Sequence, residues 1–251
     1  MKDRFLPGED ETLDSLSCGN LFIFQKKKGY RYSLDAYLLG AFVEETPGTA
    51  GIEIGSGSGV VSILLAAMKG LIMAGVEIQQ DLAEMSMRSV EKAGLQDRVT
   101  ITCCDIRDFT RPKADVIVVN PPYRPLKAGR INPVSQKAIA RHEISLDLDT
   151  LLKRSHDLLN PSGRFYIVYP SWRLPDLFAS MRARMIEPKR MRCVYTAVNR
   201  PSEICLVCGI HGGGKELSLE SPLIIFNEDG SYHRTMEAVF QGLSFTKKAL
   251  T

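Results

Sequence analysis

Long apolar runs are missing from this 251-residue chain. No uninterrupted hydrophobic stretch approaches the roughly 18 residues that a membrane-crossing helix requires, so no membrane association is expected. The opening residues, Met1-Lys-Asp-Arg-Phe-Leu-Pro-Gly-Glu-Asp, lack the apolar centre of a secretory leader. The cytoplasm is therefore the expected compartment. Histidine is scarce, with four copies, and the six cysteines are badly placed for a disulfide framework. Cys103 and Cys104 are adjacent within an expected strand. Cys205-Leu-Val-Cys208 is a C-x-x-C, but strand alternation sends its two thiols to opposite faces. With no second close pair, neither a metal site nor a set of bridges is expected, and the thiols read as small buried hydrophobes. A large excess of one charge is also lacking, since the net charge is only +3. Internal repeats and long linkers are absent too. At 44% hydrophobic and 24% charged, the chain fits one sizeable domain with small additions.

What is present centres on Val116-Ile-Val-Val-Asn120-Pro121-Pro122-Tyr123. The apolar run has no polar alternation, so it reads as a strand buried on both faces. Neither proline can donate to a ladder, so the strand stops at Asn120, which the following proline holds extended. The product is a carboxamide, a carbonyl and a phenol ring on a stiff ledge at a strand's carboxyl end, where open α/β sheets bind ligands. The Asn120 side-chain oxygen and the Pro121 carbonyl are acceptors for both hydrogens of an exocyclic NH2. Tyr123 could stack on the ring bearing it, a contact worth about 1–3 kcal/mol per base. Alone, Asn-Pro-Pro would be an ordinary strand end.

Upstream, Gly51-Ile-Glu53-Ile-Gly55-Ser-Gly57-Ser-Gly59 is a strand entering a glycine-rich turn, followed by helix from Val60 to Lys69. Such glycines permit positive φ and close approach of backbone to a ligand. The last position of G-x-G-x-x-G is filled by Val60, so the dinucleotide fingerprint is incomplete. The next strand, over Leu71–Glu77, ends in a carboxylate 18 residues past Gly59, a position suited to a ribose diol. Helix is expected over Asp81–Ala93, then a strand from Val99 to Cys104 ending at Asp105. This alternation predicts a parallel sheet with helices on both faces.

Residues 1–17 read as polar and mobile. Leu21–Phe24 reads as a short strand turning to a second segment near Tyr30–Tyr32, and Ser33 as the cap of a helix over Leu34–Val43 with Asp35 in its first turn. After Tyr123, residues 124–141 carry five basic side chains and no acid, and read as a long loop. His142 follows and reads as a loop histidine. Further helices are expected over Leu146–Leu159 and Leu174–Met185, with a strand over Gly163–Tyr169 between them. Met191–Ala197 and Glu203–Ile210 should form a terminal hairpin, with one more extended piece at Pro222–Phe226. Two other basic stretches are Lys26-Lys27-Lys28 with Arg31, and Arg182, Arg184, Lys189, Arg190 and Arg192. Any one cluster is most simply a solvated face, whereas three, one directly after the ledge, suggest a nucleic-acid backbone as partner.

Glu53-x-Gly55-x-Gly57-x-Gly59 together with Asn120-Pro-Pro-Tyr123 resembles the amino-methyltransferase branch of class I S-adenosylmethionine (SAM) methyltransferases. Tyr32-Ser-Leu-Asp35-Ala-Tyr-Leu-Leu39 and Pro222-Leu-Ile-Ile-Phe-x-x-x-Gly230-x-Tyr232 widen the likeness. Over nearly the whole chain it resembles the bacterial tRNA1(Val) adenine-N6 methyltransferase family. The resemblance implies an α/β, Rossmann-like, doubly wound sheet of seven mostly parallel strands with the last antiparallel. It divides the chain into an N-terminal extension, 1–46, packed on a methyltransferase domain, 47–251. It implies SAM as cofactor, with Gly55, Gly57 and Gly59 at its methionine part, Glu77 at the ribose, Asp105 and Ile106 at the adenine, Asp35 closing the pocket, and Glu53 and Ile78 also among the cofactor-binding residues. Asn120, Pro121, Pro122 and Tyr123 would be catalytic, with Asn120 also beside the cofactor. Arg124, Lys127 and Arg130 would hold substrate RNA, most simply tRNA. Two alternatives stay open: a release-factor-type glutamine N5-methyltransferase using the same tetrapeptide, and a nicotinamide-dependent oxidoreductase, disfavoured by Val60.

Overall fold

The computed structural model describes residues 4–17, 20–29, 31–121 and 147–245. Within them, the alternating pattern becomes one large sheet. In chain order the elements are β1 (Glu11–Ser15), β2 (Phe22–Lys26), α1 (Leu34–Phe42), β3 (Ala50–Ile54), α2 (Val60–Lys69), β4 (Ile72–Glu77), α3 (Gln80–Lys92), β5 (Val99–Cys103) and β6 (Ala114–Val119). After the undescribed stretch come α4 (Leu148–Leu158), β7 (Leu159–Pro170), a 3-10 turn (Ser171–Arg173), α5 (Leu174–Ala183), β8 (Ile186–Tyr195), β9 (Ser202–His211), β10 (Ser218–Leu219), β11 (Leu223–Ile224) and α6 (Arg234–Gly242).

The sheet runs β10-β8-β9-β7-β6-β3-β4-β5, with β11 also on β8. Strands β3 to β7 are mutually parallel, and β9 lies antiparallel to both β7 and β8. The expected seven strands and antiparallel last strand are therefore present as β3 to β9. The sheet exceeds that expectation by two short strands, β10 and β11, which run along the outer edge of β8. Their backbone pairing, at Arg190–Met191 and Val194–Tyr195, covers part of what would otherwise be a ten-residue exposed edge.

The lack of polar alternation in the strands has its cause in two packed faces. Val116 and Val118 join a core with Ile63, Leu64 and Leu65 of α2, while Ile117 and Val119 join a second core with Leu151 and Leu152 of α4. Cys205 falls in the second core and Cys208 in the first, as alternation requires. Each such aliphatic side chain contributes about 1.5–3 kcal/mol by leaving water.

The N-terminal segment departs from expectation. Residues 11–15 are not loose: they pair antiparallel with β2, from Glu11↔Lys26 to Ser15↔Phe22. The partner of β2 thus lies upstream rather than at Tyr30–Tyr32; Tyr30 is outside the described residues, and Arg31–Ser33 is not a strand. The signal missed was a cross-element clamp. The Arg88 guanidinium donates to both Glu11 carboxylate oxygens at 2.8 Å and stacks 4.0 Å from the Phe24 ring centroid. Phe24, Leu82, Met85 and Leu13 then seal the hairpin onto α3. Helix α6 was also unforeseen; its buried Met236 and Val239 join the first core.

Candidate active site

Strand order places the topological switch between β3 and β6, because the chain winds outward through β4 and β5 and then returns to the other side of β3. Ligands bind at such a crevice, at the carboxyl ends of the strands. Register brings those ends level: Ile54 pairs with Val119 and with Val76, and Glu77 pairs with Cys103. The turn after Ile54, the Glu77–Ile78 corner, the Asp105–Ile106 corner and Asn120–Pro121 therefore share one edge.

The glycine turn is built as its sequence suggests. Gly55, Gly57 and Gly59 all have positive φ, at 72°, 55° and 79°, conformations that side chains resist. Gly59 is needed twice over, since a Cβ there would lie 2.1 Å from Ser86 Oγ on α3. A Cβ on Gly55 would meet nothing within 4 Å, so the space before that backbone is open. Between the glycines, the buried hydroxyls of Ser56 and Ser58 have no hydrogen-bond partner among the described residues.

Two carboxylates brace the turn. Glu77 is buried, and its Oε2 accepts from the Gly57 amide at 2.8 Å while its Oε1 accepts from the Gln79 amide at 2.9 Å. Each oxygen keeps a free lone pair, so the group can still take hydroxyl donors. Glu53 is buried beneath the turn, and its Oε2 accepts from Ser62 N at 2.9 Å and Ser62 Oγ at 2.5 Å. Gly59 offers no side-chain cap to α2, so Glu53 satisfies an orphan amide of the helix from the neighbouring strand. Burial pushes its carboxyl up to about 8, and nearby Glu77 acts in the same direction.

Asp105 follows β5 and is already engaged. Its Oδ1 accepts from Arg107 N at 2.8 Å, and both oxygens accept from the Arg107 guanidinium. This side-chain pairing holds its carboxyl below the usual range. Arg107 was not singled out from sequence, although an arginine two residues after an acid is the pattern that closes such a loop. Ile106 is buried, whereas Ile78 is 47% exposed beside Glu77.

Asn120 and Pro121 are half-buried at the end of β6. Pro122, Tyr123, Arg124, Lys127, Arg130 and His142 lie outside the described residues. Asp35 stands in the first turn of α1, whose Ser33 cap accepts from the Asp35 amide at 3.3 Å. Lys69, at the end of α2, donates to the Ala41 and Val43 carbonyls at the end of α1. The carboxyl ends of the two helices are therefore in contact.

In the other two basic stretches most side chains are engaged within the chain, although Lys28 is exposed without a partner among the described residues. Arg182 pairs with Glu187, Arg184 with Asp149, Arg190 with Glu44 and Glu220, and Arg192 with Glu220. Lys189 donates to the Gly214 carbonyl. Lys26 pairs with Asp81, Arg31 with Asp14, and Lys27 donates to the Glu9 carbonyl. These clusters are chiefly scaffold, a correction to the reading of three phosphate-facing patches. Among the described residues no group of three or more metal-ligating side chains is gathered, and no helix is long and apolar enough to cross a membrane.

Comparison with known proteins bears on the family and the fold. Three curated relatives are named tRNA1(Val) (adenine(37)-N6)-methyltransferase. That of Dyadobacter fermentans is 32% identical over 54% of this chain and 57% of its own length. That of Porphyromonas gingivalis is 34% identical over 59% and 61%, and that of Shewanella loihica 27% identical over 85% and 91%. The chain thus spans about three-fifths of the first two. Among solved structures, a predicted O-methyltransferase from Agrobacterium tumefaciens superposes with a TM-score of 0.66 at 16% identity, covering 83% of this chain and 96% of the other. M. jannaschii TYW2 in complex with AdoMet gives 0.55 at 11%, covering 82% and 87%. These two likenesses are of fold. The methyltransferase small domain model matches residues 35–175, more than half of the sequence, and the chain belongs to that family.

Proposed function

We propose that this protein is a SAM-dependent N-methyltransferase that acts on an exocyclic amine, adenine N6 of a tRNA. The observation that carries the reading is the meeting, at one sheet edge, of an open glycine turn braced by Glu77 with the Asn120–Pro121 ledge one strand away. The residues fit the cofactor. Gly55 leaves room for close backbone approach, Glu77 has lone pairs for a diol, and Ile78 offers an exposed apolar face to a flat ring. Asp105 can accept an adenine amine, sharing its oxygens with Arg107. Asp35 closes the pocket from α1. Glu53 supports the site from below by holding α2 against β3.

When bound, SAM supplies a methyl group on a cationic sulfur. The chain's own residues deal with the acceptor. An aromatic exocyclic nitrogen is a poor nucleophile because its lone pair is delocalised into the ring. The Asn120 oxygen and Pro121 carbonyl take its two hydrogens, draw the nitrogen toward pyramidal geometry and aim its lone pair across the crevice. Fixed orientation of this kind supplies up to roughly 7–11 kcal/mol of a barrier. Tyr123 stacks on the base, Pro122 stiffens the ledge, and Arg124, Lys127 and Arg130 follow in sequence to hold phosphate. No general base is required, because a methylated ammonium loses its proton to water. Among the described histidines, His156 and His211 stand near the start of β7 and the end of β9, at the opposite edge, and His233 caps α6.

The chain works in the cytoplasm, with residues 1–46 as an extension on a 47–251 methyltransferase domain. Leu16, Leu21 and Ile23 packing into the core of α1 and α2 support that division. Membership of a methyltransferase family disfavours the nicotinamide alternative. The decisive test is incubation with methyl-labelled SAM and either total tRNA or a release factor, followed by nucleoside mass spectrometry. N6-methyladenosine in tRNA is expected. Label confined to protein would overturn the adenine reading.

A further inference from the structure

Most arginines of this protein are consumed by internal ion pairs. Among the described residues, those with no carboxylate in reach are Arg98, Arg111, Arg173, Arg200 and Arg234. Arg98 and Arg111 precede β5 and β6, at the edge opposite the site. Arg173 and Arg200 are on the carboxyl edge, in the turn after β7 and in the loop between β8 and β9. Beside Arg173 stands Trp172, 67% exposed. A single exposed apolar side chain is ordinary, so its setting has to carry the argument.

Three features of that setting converge. Strand β7 is the neighbour of β6, and Val119 pairs with Ile167, so the turn rises beyond the Asn120 ledge on the side away from the glycine loop. The turn is also pinned. Ser171 Oγ lies 3.0 Å from Ser202 Oγ, which in turn donates to the Ile204 carbonyl at 3.0 Å, tying the turn to β9. Pro175 stiffens the entry to α5. Finally, the Arg173 guanidinium sits 5.3 Å from the Tyr169 ring centroid and 5.7 Å from that of Trp172. Its charge is oriented by aromatic faces rather than neutralised by an acid. An aromatic plane with adjacent unpaired cations is the composition that receives a splayed nucleobase and its phosphate.

We infer that Trp172, with Arg173 and Arg200, forms a stacking platform for a nucleotide flanking the target adenine of the RNA substrate. The inference rests on the RNA reading above and adds a recognition element to it. Trp172 is a positioning residue: it fixes the strand beside the reacting base and does not touch the reacting atoms. Removing it weakens substrate capture and leaves the chemical step in place.

The test uses the full chain with an unmodified tRNA transcript as probe. Trp172 is the only tryptophan in the chain, so emission excited at the red edge, where tyrosine does not absorb, reports on this site alone. Binding of the transcript should quench it, while SAM alone should not. Trp172→Ala should raise KM for the transcript by about 5- to 150-fold, the range of one lost base stack. Its kcat should stay within about two-fold of wild type, and Trp172→Phe should recover most of the loss. A transcript that binds by filter retention without quenching, and that is methylated by Trp172→Ala at wild-type KM, overturns the platform and leaves the RNA reading standing. Wild-type protein that methylates a release factor and no tRNA overturns both.

Discussion

On the β3–β4 side of the sheet the polar groups at the carboxyl edge are turned inward, whereas on the β7–β8–β9 side an aromatic ring, an aliphatic side chain and an unpaired cation are turned out. Glu53, Glu77, Ser56 and Ser58 are all buried; Glu77 is held by backbone amides of the turn and corner, and Glu53 by the amide and hydroxyl of Ser62 in α2. Trp172, Val198 and Arg200 stand exposed on the other side. The first arrangement suits a ligand of fixed shape, since its partners are set before the ligand arrives. The second suits a long charged polymer, which needs a surface rather than a cavity. Asn120 sits on β6, between the two.

Predictions follow the strength with which each change disturbs that contrast. Asn120→Ala removes the junction itself. Turnover should fall by about 10²–10³-fold or more, the scale of losing one preorganised hydrogen-bonding group, while SAM affinity measured by calorimetry stays near wild type. Loss of both would make Asn120 a folding residue. Glu77→Ala strikes the inward half, removing the acceptor for Gly57 and Gln79. SAM Kd should rise about 10- to 100-fold, as for a lost charged hydrogen bond, and an unchanged Kd would remove Glu77 from the site.

The next pair separates surface charge from scaffold charge. Arg200→Ala should reduce the salt slope of RNA binding by about 0.7–0.9, one phosphate contact, with no change in Tm. Arg192→Ala should do the reverse, costing about 1–3 kcal/mol of stability because Arg192 donates to Glu220 at 2.9 and 2.7 Å and covers the Phe245 ring at 4.3 Å. Urea denaturation alongside salt-dependent filter binding distinguishes them; identical behaviour would erase the distinction.

The last test concerns Glu53, inside the inward half. Its folded pKa, near 8, lies above the ordinary carboxyl value of 4.5, so the native state holds a proton that the unfolded chain has released. This contribution is complete below pH 4.5 and is lost as pH rises toward 8, with a slope of at most about 1.4 kcal/mol per pH unit. Glu53→Gln should flatten stability against pH across that window. A slope that persists would assign it to other groups.

The inward half was readable in the sequence and the outward half was not, for a physical reason. Turns that need positive φ leave glycines at fixed spacing, and a strand end beside them leaves an acid in phase, so Gly55, Gly57, Gly59, Glu77 and Asp105 could be named from spacing and family likeness. A buried strand leaves an apolar run, which located β3 to β7. Charge gave no such guide. Lys26, Arg190 and Arg192 looked as free as Arg200, and only folding showed that Asp81 and Glu220 neutralise them. The β1–β2 hairpin escaped notice because its anchor, Arg88 on Glu11, spans 77 residues. Arg107 on Asp105 was missed for the opposite reason, being so local that it looked like an ordinary loop.

A structure determined with a SAM analogue tests the account most directly. The sulfonium should lie in the crevice between β3 and β6, with its methyl group facing the Asn120 carboxamide and its ribose at Glu77. An analogue bound elsewhere, or an Asn120 carboxamide turned away into packed side chains, would contradict it.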